Sequence, residues 1–386
     1  MQNQRGSGNR GVRPARSRRR DLILSLATSV VSLVLFLALI EIVLRFLPVT
    51  SAFGSVRVTA ESPIFHFAPN RPYVTSLGWD LHSINRGRVN NAGFVNDQDY
   101  RRDHPLPLVA VIGDSFIEAR LVPYAQTLQG RLAEALTGKF RVYSFAASGA
   151  PLSQYLIWAR HAVREYGAKA VVINVVGNDY DESHAAYKVG PGFWLYAPDA
   201  AGKLTLRLTD YHPGWLIELG RSSALVRYMV VNLRLHDAIF QVKALGELIF
   251  GGPAHAQPRY AGNTEASIDT KRVSDSLAAI DAFFRDLPEV VGLSPENVLF
   301  TVDGFRYPES QRGGRGTYFD VMRSSFLEKA RALGYEAIDL DPLFIARNRE
   351  TGEAFELPDD NHWNSNGHRV AAEAALSSRL FARLRQ

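Results

Sequence analysis

The chain has no cysteine. Disulfides, thiolate nucleophiles and cysteine-held metals are therefore excluded, and the absence suits an envelope protein that avoids unwanted oxidation. A basic folded surface is also lacking. The formal charge is +5, but Arg5, Arg10, Arg13, Arg16, Arg18, Arg19 and Arg20 crowd the start, and the rest is near neutral to slightly acidic. The charge reports a tail, not a basic domain face, which argues against nucleic-acid binding by the folded part. His66, His82, His104, His161, His184, His212, His236, His255 and His368 show no metal-ligand spacing. "GGRG" at 313–316 lacks the strand and Lys-Ser/Thr of a phosphate-binding loop. No internal repeat occurs, and no cofactor is implied.

What is present begins with a membrane-length segment. Leu22 to Ile40 holds only aliphatic residues, Phe, Ala, Ser and Thr, and the apolar character runs on to Leu47. About 20 apolar residues span a bilayer core. Glu41 and Arg45 interrupt the run four apart, a spacing that lets them pair on a helix. Residues 1–21 read as a cytoplasmic tail and 22–47 as a single-pass anchor, which places everything after Pro48 outside. A cleaved signal peptide is the rival, but its apolar region runs about 7–15 residues, and only a weak small-residue site (Thr50, Ala52) follows here.

Residues 48–106 are rich in Pro, Asn, Gly and Arg and read as a linker and irregular lead-in. Regular patterning starts at Leu108. The apolar run at 108–113 predicts a buried parallel strand, 141–146, 170–177, 297–304 and 335–340 read as four more strands, and helices are read at 125–138, 152–166, 269–287, 317–333 and 366–384. Strands alternating with helices predict a three-layer α/β/α domain over 107–386, with a five-stranded parallel sheet covered on both faces. Residues 180–268 carry many aromatics, prolines and glycines, with one helix near 223–250, and read as an insertion. Tyr180, Tyr187, Phe193, Trp194, Tyr196, Tyr211 and Trp215 predict that it walls the site.

In such folds, sites collect at the carboxyl ends of strands. The first strand ends in "IGDSF", with Ser115 at a strand-to-helix turn. The second ends in "AASGAP", placing Gly149 in the next loop, and the third in "VVGNDY", placing Asn178 in its loop. After the fifth comes "DDNHWNSNGH", with His362. Each piece alone makes an ordinary turn. Together they supply a hydroxyl, a base, a carboxylate and donors for an oxyanion, the requirements of acyl transfer.

The blocks "GDSF", "ASGAP", "VGND" and "DDNHW" occur in the order of the SGNH/GDSL hydrolases, and residues 85–386 resemble that superfamily. "VNNAGFVNDQDY" at 89–100 resembles the lead-in of its membrane-anchored bacterial members. The resemblance implies the flavodoxin-like SGNH fold, with Ser115 as nucleophile and His362 as general base. It also implies an oxyanion hole from the backbone N–H of Ser115, that of Gly149 and the side-chain amide of Asn178. Two positions depart from the pattern. Val176 takes the place usual for glycine in the third block, and Trp363 follows the histidine where proline is common. Trp363 resembles the Asp-x-His-Trp pattern of alginate O-acetylating SGNH proteins. Asp114 and Asp179, beside stronger candidates, are expected to hydrogen-bond their loops.

Two acids compete to orient His362. A tight turn would bring Asp359 to it, three residues away, whereas an extended segment puts Asp360 on its face. The Asp-x-His-Trp likeness favours Asp360.

The expected activity is that of a serine esterase on O-acyl esters of envelope glycans or lipids, held on the outer face of a bacterial inner membrane. An O-acetyltransferase for surface polysaccharide, served by a membrane acyl-donor partner, would use the same residues. A non-catalytic glycan-binding module is the reading from another class, and the intact triad argues against it.

Overall fold

The run Leu108–Gly113 forms strand β1, whose six residues are all buried. Leu108, Ala110 and Ile112 join one apolar cluster and Val109 and Val111 another, because successive side chains leave a strand on opposite faces. The continuous apolar reading of the sequence thus has its cause: both faces are covered. The structure, a computed structural model, describes residues 18–235, 269–358 and 360–386. It divides into two units, Met1–Leu47 and Pro48–Gln386.

The first unit holds the helix Arg18–Phe46. Its stretch Arg20–Phe46 is long and apolar enough to cross a membrane, as a span or as a signal sequence. Arg45 Nε donates to Glu41 Oε1 at 2.8 Å.

The second unit is built on five parallel strands: β1, β2 (Arg141–Ala146), β3 (Ala168–Val175), β4 (Val298–Val302) and β5 (Glu336–Asp339), in the order β2-β1-β3-β4-β5. This is the flavodoxin-like order, with its switch point between β1 and β3. Helices Leu152–Tyr166, Thr270–Val291 and Tyr318–Ala332 cover one face; Leu128–Ala135, Asp341–Thr351 and Ser365–Leu376 cover the other. The α/β fold with a five-stranded parallel sheet is therefore as the sequence predicts.

Several boundaries differ. The closing helix breaks after Leu376 and restarts at Arg379, where Ser378 caps the new turn by accepting from Phe381 N. The helix Asp341–Thr351 was not expected; Pro342 in its first turn starts it between β5 and the His362 segment.

Residues 48–106 are more ordered than a linker. They contain the hairpin Arg71–Leu77/His82–Val89, and Phe65, Phe67, Tyr73, Phe94 and Tyr100 enter the main core. Asn96 Nδ2 donates to Ser144 Oγ at 3.0 Å on β2. Most of these aromatics hang from loops, so no helical or strand period announces them in the sequence.

Within 180–268, residues 236–268 lie outside the described residues, as does most of the helix expected near 223–250. The described part forms the hairpin Trp194–Pro198/Leu204–Leu208 and the helices Trp215–Ser222 and Ala224–Arg227. Tyr180, Phe193 and Tyr196 belong to the core of the domain.

Candidate active site

Ser115 opens a short helix, Ser115–Glu118, directly after β1. Gly113 makes that turn possible: a Cβ there would lie 2.4 Å from Ile117 Cγ1. Asp114 caps the turn, its Oδ1 accepting from Phe116 N at 2.9 Å and its Oδ2 from Ser115 Oγ at 3.1 Å. Complete burial pushes the Asp114 carboxyl up to about 6, against the pull of Phe116 N–H and the neighbouring His362.

His362 lies in the extended piece Asp360–Trp363, paired antiparallel with Glu356–Leu357. Its Nε2 is 2.7 Å from Ser115 Oγ. Its Nδ1 meets Asp360 Oδ1, which also accepts from His362 N at 2.9 Å. The extended backbone puts residues 360 and 362 on one face, the geometry required for the second of the two competing acids. Asp359 lies outside the described residues. Burial works against the charge of Asp360, but the hydrogen bonds from His362 and the charges of His362 and Arg234 outweigh it and hold the carboxyl below its usual range. Hydroxyl, imidazole and carboxylate thus form one line, the arrangement of a serine hydrolase.

The other predicted residues top the strands flanking β1. Gly149 stands three residues past β2 in the left-handed region, φ +74°, where a side chain would be strained. Asn178 stands three residues past β3 and precedes the short helix Asp179–Glu182. Because β2 and β3 are the two neighbours of β1, their loops border that of Ser115. Buried Asp179 takes the structural role expected of it. Its Oδ2 accepts from Val176 N and its Oδ1 from Tyr155 Oη, both at 2.8 Å, and burial raises it well above the ordinary carboxylate range. Val176, the departure from the glycine pattern, is itself buried in the apolar layer.

A cavity of about 410 Å³ opens over the hydroxyl, with Ser115, His362 and Asp360 in its wall. Gly149 and Asn178 are not among its lining residues. Leu77, Phe116, Leu121 and Val122 make much of its wall apolar. Ser76 and Leu77 come from the lead-in hairpin and Val230, Val231 and Arg234 from the 180–268 segment. That segment does wall the site, but with aliphatic side chains and an arginine: none of the seven aromatics named above lines the cavity. Among the described residues no three His, Asp or Glu side chains cluster as metal ligands.

Sequence reasoning missed the groups that support this line. Arg234 Nη2 lies 3.3 Å from the second oxygen of Asp360, though 126 residues separate the pair. Trp363, fully buried, donates from Nε1 to Asp303 Oδ1 at 3.0 Å, and Arg306 donates to Asp303 Oδ2 at 3.2 Å and to Asn361 O at 2.5 Å. Phe116 packs 4.8 Å from the His362 ring and 5.1 Å from Trp363. The departure at Trp363 is thus a structural pin for the histidine strand. Glu118, buried, accepts from Ser148 N at 2.6 Å and pairs with Arg120, tying the Ser115 helix to the Gly149 loop. No local spacing signals these pairs.

No family model and no curated protein matches the chain. Solved structures do. A lipase from a goat-rumen metagenome is 14% identical over 71% of this chain and 99% of its own, with a TM-score of 0.37. A member of the lipolytic G-D-S-L family from Veillonella parvula is 9% identical over 70% and 97%, at 0.35. A putative acylhydrolase from Bacteroides fragilis is 11% identical over 74% and 91%, at 0.37. At these values the functional reading rests on the site itself. The sheet order and the motif order along the strand ends are those the SGNH/GDSL resemblance implies.

Proposed function

We propose that the chain is an SGNH-type serine esterase, with Ser115 as nucleophile, His362 as general base and Asp360 as the orienting acid. The observation that carries the reading is the unbroken line from Ser115 Oγ to His362 Nε2 at 2.7 Å and from His362 Nδ1 to Asp360. Ser115 Oγ attacks the ester carbonyl while His362 Nε2 takes its proton. Asp360 holds the proton on Nδ1 and stabilises the imidazolium. In this reading the tetrahedral oxyanion is received by the N–H groups of Ser115 and Gly149 and the amide of Asn178. His362 then protonates the leaving alcohol, an acyl-Ser115 remains, and water activated by His362 releases the acid and restores the hydroxyl.

The substrates we assign are O-acyl esters of envelope glycans or lipids. The membrane-length helix after an arginine-rich tail supports an inner-membrane anchor with residues 48–386 on the outer side. The test is turnover of nitrophenyl esters by the purified protein and by Ser115→Ala, with and without sugar acceptors. Ser115-dependent release is expected. Acyl transfer to the sugar in preference to water would identify an O-acetyltransferase built from the same residues. Equal release by both proteins would overturn the reading.

A further inference from the structure

The helix Trp215–Ser222 presents an unusual face for a water-soluble surface. Trp215 is 74% exposed, Leu216 62% and Leu219 60% among the described residues. The following turns, Ala224–Arg227 and Tyr228–Asn232, add the exposed Met229, Val230 and Val231. Trp79, 75% exposed, adjoins them: Tyr228 Oη donates to its carbonyl at 2.6 Å. Contiguous apolar surface rimmed by polar groups marks an interaction site, and exposed tryptophan is favoured at the membrane–water interface.

Two observations name the occupant. The first is chain connectivity. Arg227 Nη1 donates to Thr50 O at 2.9 Å, and Asn232 Oδ1 accepts from Thr50 N at 3.2 Å. The apolar turns are therefore stapled to a residue that follows the membrane-length helix almost at once. From Phe46 to Val49 an extended chain reaches only about 10 Å. If the helix spans a bilayer, Val49 lies within that distance of its end, at the headgroups or just beyond them, and the turns bonded to Thr50 are held beside the lipid surface. The second is continuity with the catalytic cavity. Val230 and Val231 line the Ser115 cavity, and they also line a second cavity of about 500 Å³ with Ile217 and Val226. The two cavities share Arg120 and Ser148 as well.

We propose that this face docks on the lipid surface, seating the mouth of the Ser115 cavity in the bilayer interface so that ester substrates arrive from the membrane rather than from solution. The consequence for substrate rests on the esterase reading; the docking itself does not.

The anchor helix contains no tryptophan, so tryptophan emission reports the second unit alone. The full chain is reconstituted in nanodiscs of ordinary phospholipid and of phospholipid brominated near the carbonyl end of its acyl chains. Bromine quenches rings that enter the lipid. Emission is expected to fall in the brominated discs, and the fall to be lost when Trp79→Phe and Trp215→Phe are combined, since of the three that remain Trp158 and Trp363 are fully buried and Trp194 is half-buried, its Nε1 donating to Pro63 O at 3.1 Å. Leu216→Glu with Leu219→Glu, which keeps every tryptophan, is expected to weaken the quenching. Equal emission in the two kinds of disc would overturn the proposal. Quenching that survives in the double tryptophan variant would overturn it as well. The measurement needs no turnover and runs equally on Ser115→Ala protein, so failure of docking and failure of the esterase reading are separate results.

Discussion

One oxygen of Asp360 accepts from His362 twice, from the backbone N at 2.9 Å and from the ring Nδ1. An acid two residues from its histidine in an extended segment thus fixes both the backbone and the ring. Asp360→Asn is expected to lower kcat by about 10⁴-fold, because an amide leaves the wrong tautomer in place. Asp359→Asn is expected to cost far less. A crippling loss in Asp359→Asn would transfer the orienting role to that residue. Steady-state kinetics of the two variants decide it.

Ser115→Ala is expected to remove turnover by about 10⁴-fold or more, the usual loss when a triad member goes. Circular dichroism should be unchanged, since the hydroxyl faces a cavity and, among the described residues, bonds only Asp114 and His362. Labelling by a fluorophosphonate should vanish. Retained labelling would place the nucleophile elsewhere.

Asn178→Ala is expected to cost about 10²–10³-fold in kcat, the effect of removing one oxyanion donor. KM should barely move, because that bond strengthens only in the transition state. A change confined to KM would make Asn178 a substrate-binding residue.

His368 is buried in the cavity wall, its Nδ1 accepting from Leu128 N at 3.2 Å, and burial lowers it to about 3. The unfolded chain binds a proton below its ordinary value of 6.5, where the folded chain does not. Stability is therefore lost as pH falls from about 6.5 towards 3, by about 2 kcal/mol at pH 5. His368→Gln should remove this part of the acid sensitivity in denaturant melts at pH 7 and pH 5. An unchanged difference between the two pH values would exclude His368 as its source.

Asp114 carries the opposite sign. Its folded value, about 6, lies above the ordinary 3.8, so its protonated form favours folding and stability falls as pH rises through that interval. At pH 7–8 the buried charge costs up to about 3 kcal/mol. Asp114→Asn can still accept from Phe116 N. It is expected to stabilise the protein at pH 8 and to be near neutral in effect at pH 4. Loss of stability at pH 8 would mean that the hydrogen bond from Ser115 and the neighbouring His362 outweigh the cost of burying the ionised carboxylate.

The sequence by itself determined the elements that local chemistry dictates. The five expected strands formed; the first four are nearly all buried, because a doubly covered parallel strand has no polar side and its pattern is visible in a few residues, whereas the edge strand Glu336–Asp339 is only half-buried and carries two acids. Three of the four polar blocks fell at the ends of sheet strands, where backbone groups are left free to meet a ligand, while the fourth lies beyond the helix Asp341–Thr351 in a short strand pair of its own. Tertiary structure decided what depends on partners distant in the chain. Tyr180, Phe193 and Tyr196 went into the core, Trp215 went to the surface and the cavity wall went to Val230, Val231 and Arg234, since apolar composition cannot say which surface a loop will find. Arg234 meets Asp360 across 126 residues, and Trp363 meets Asp303 across 60. Neither contact carries a spacing, because the partners come from separate loops and only the packed sheet brings their loops together.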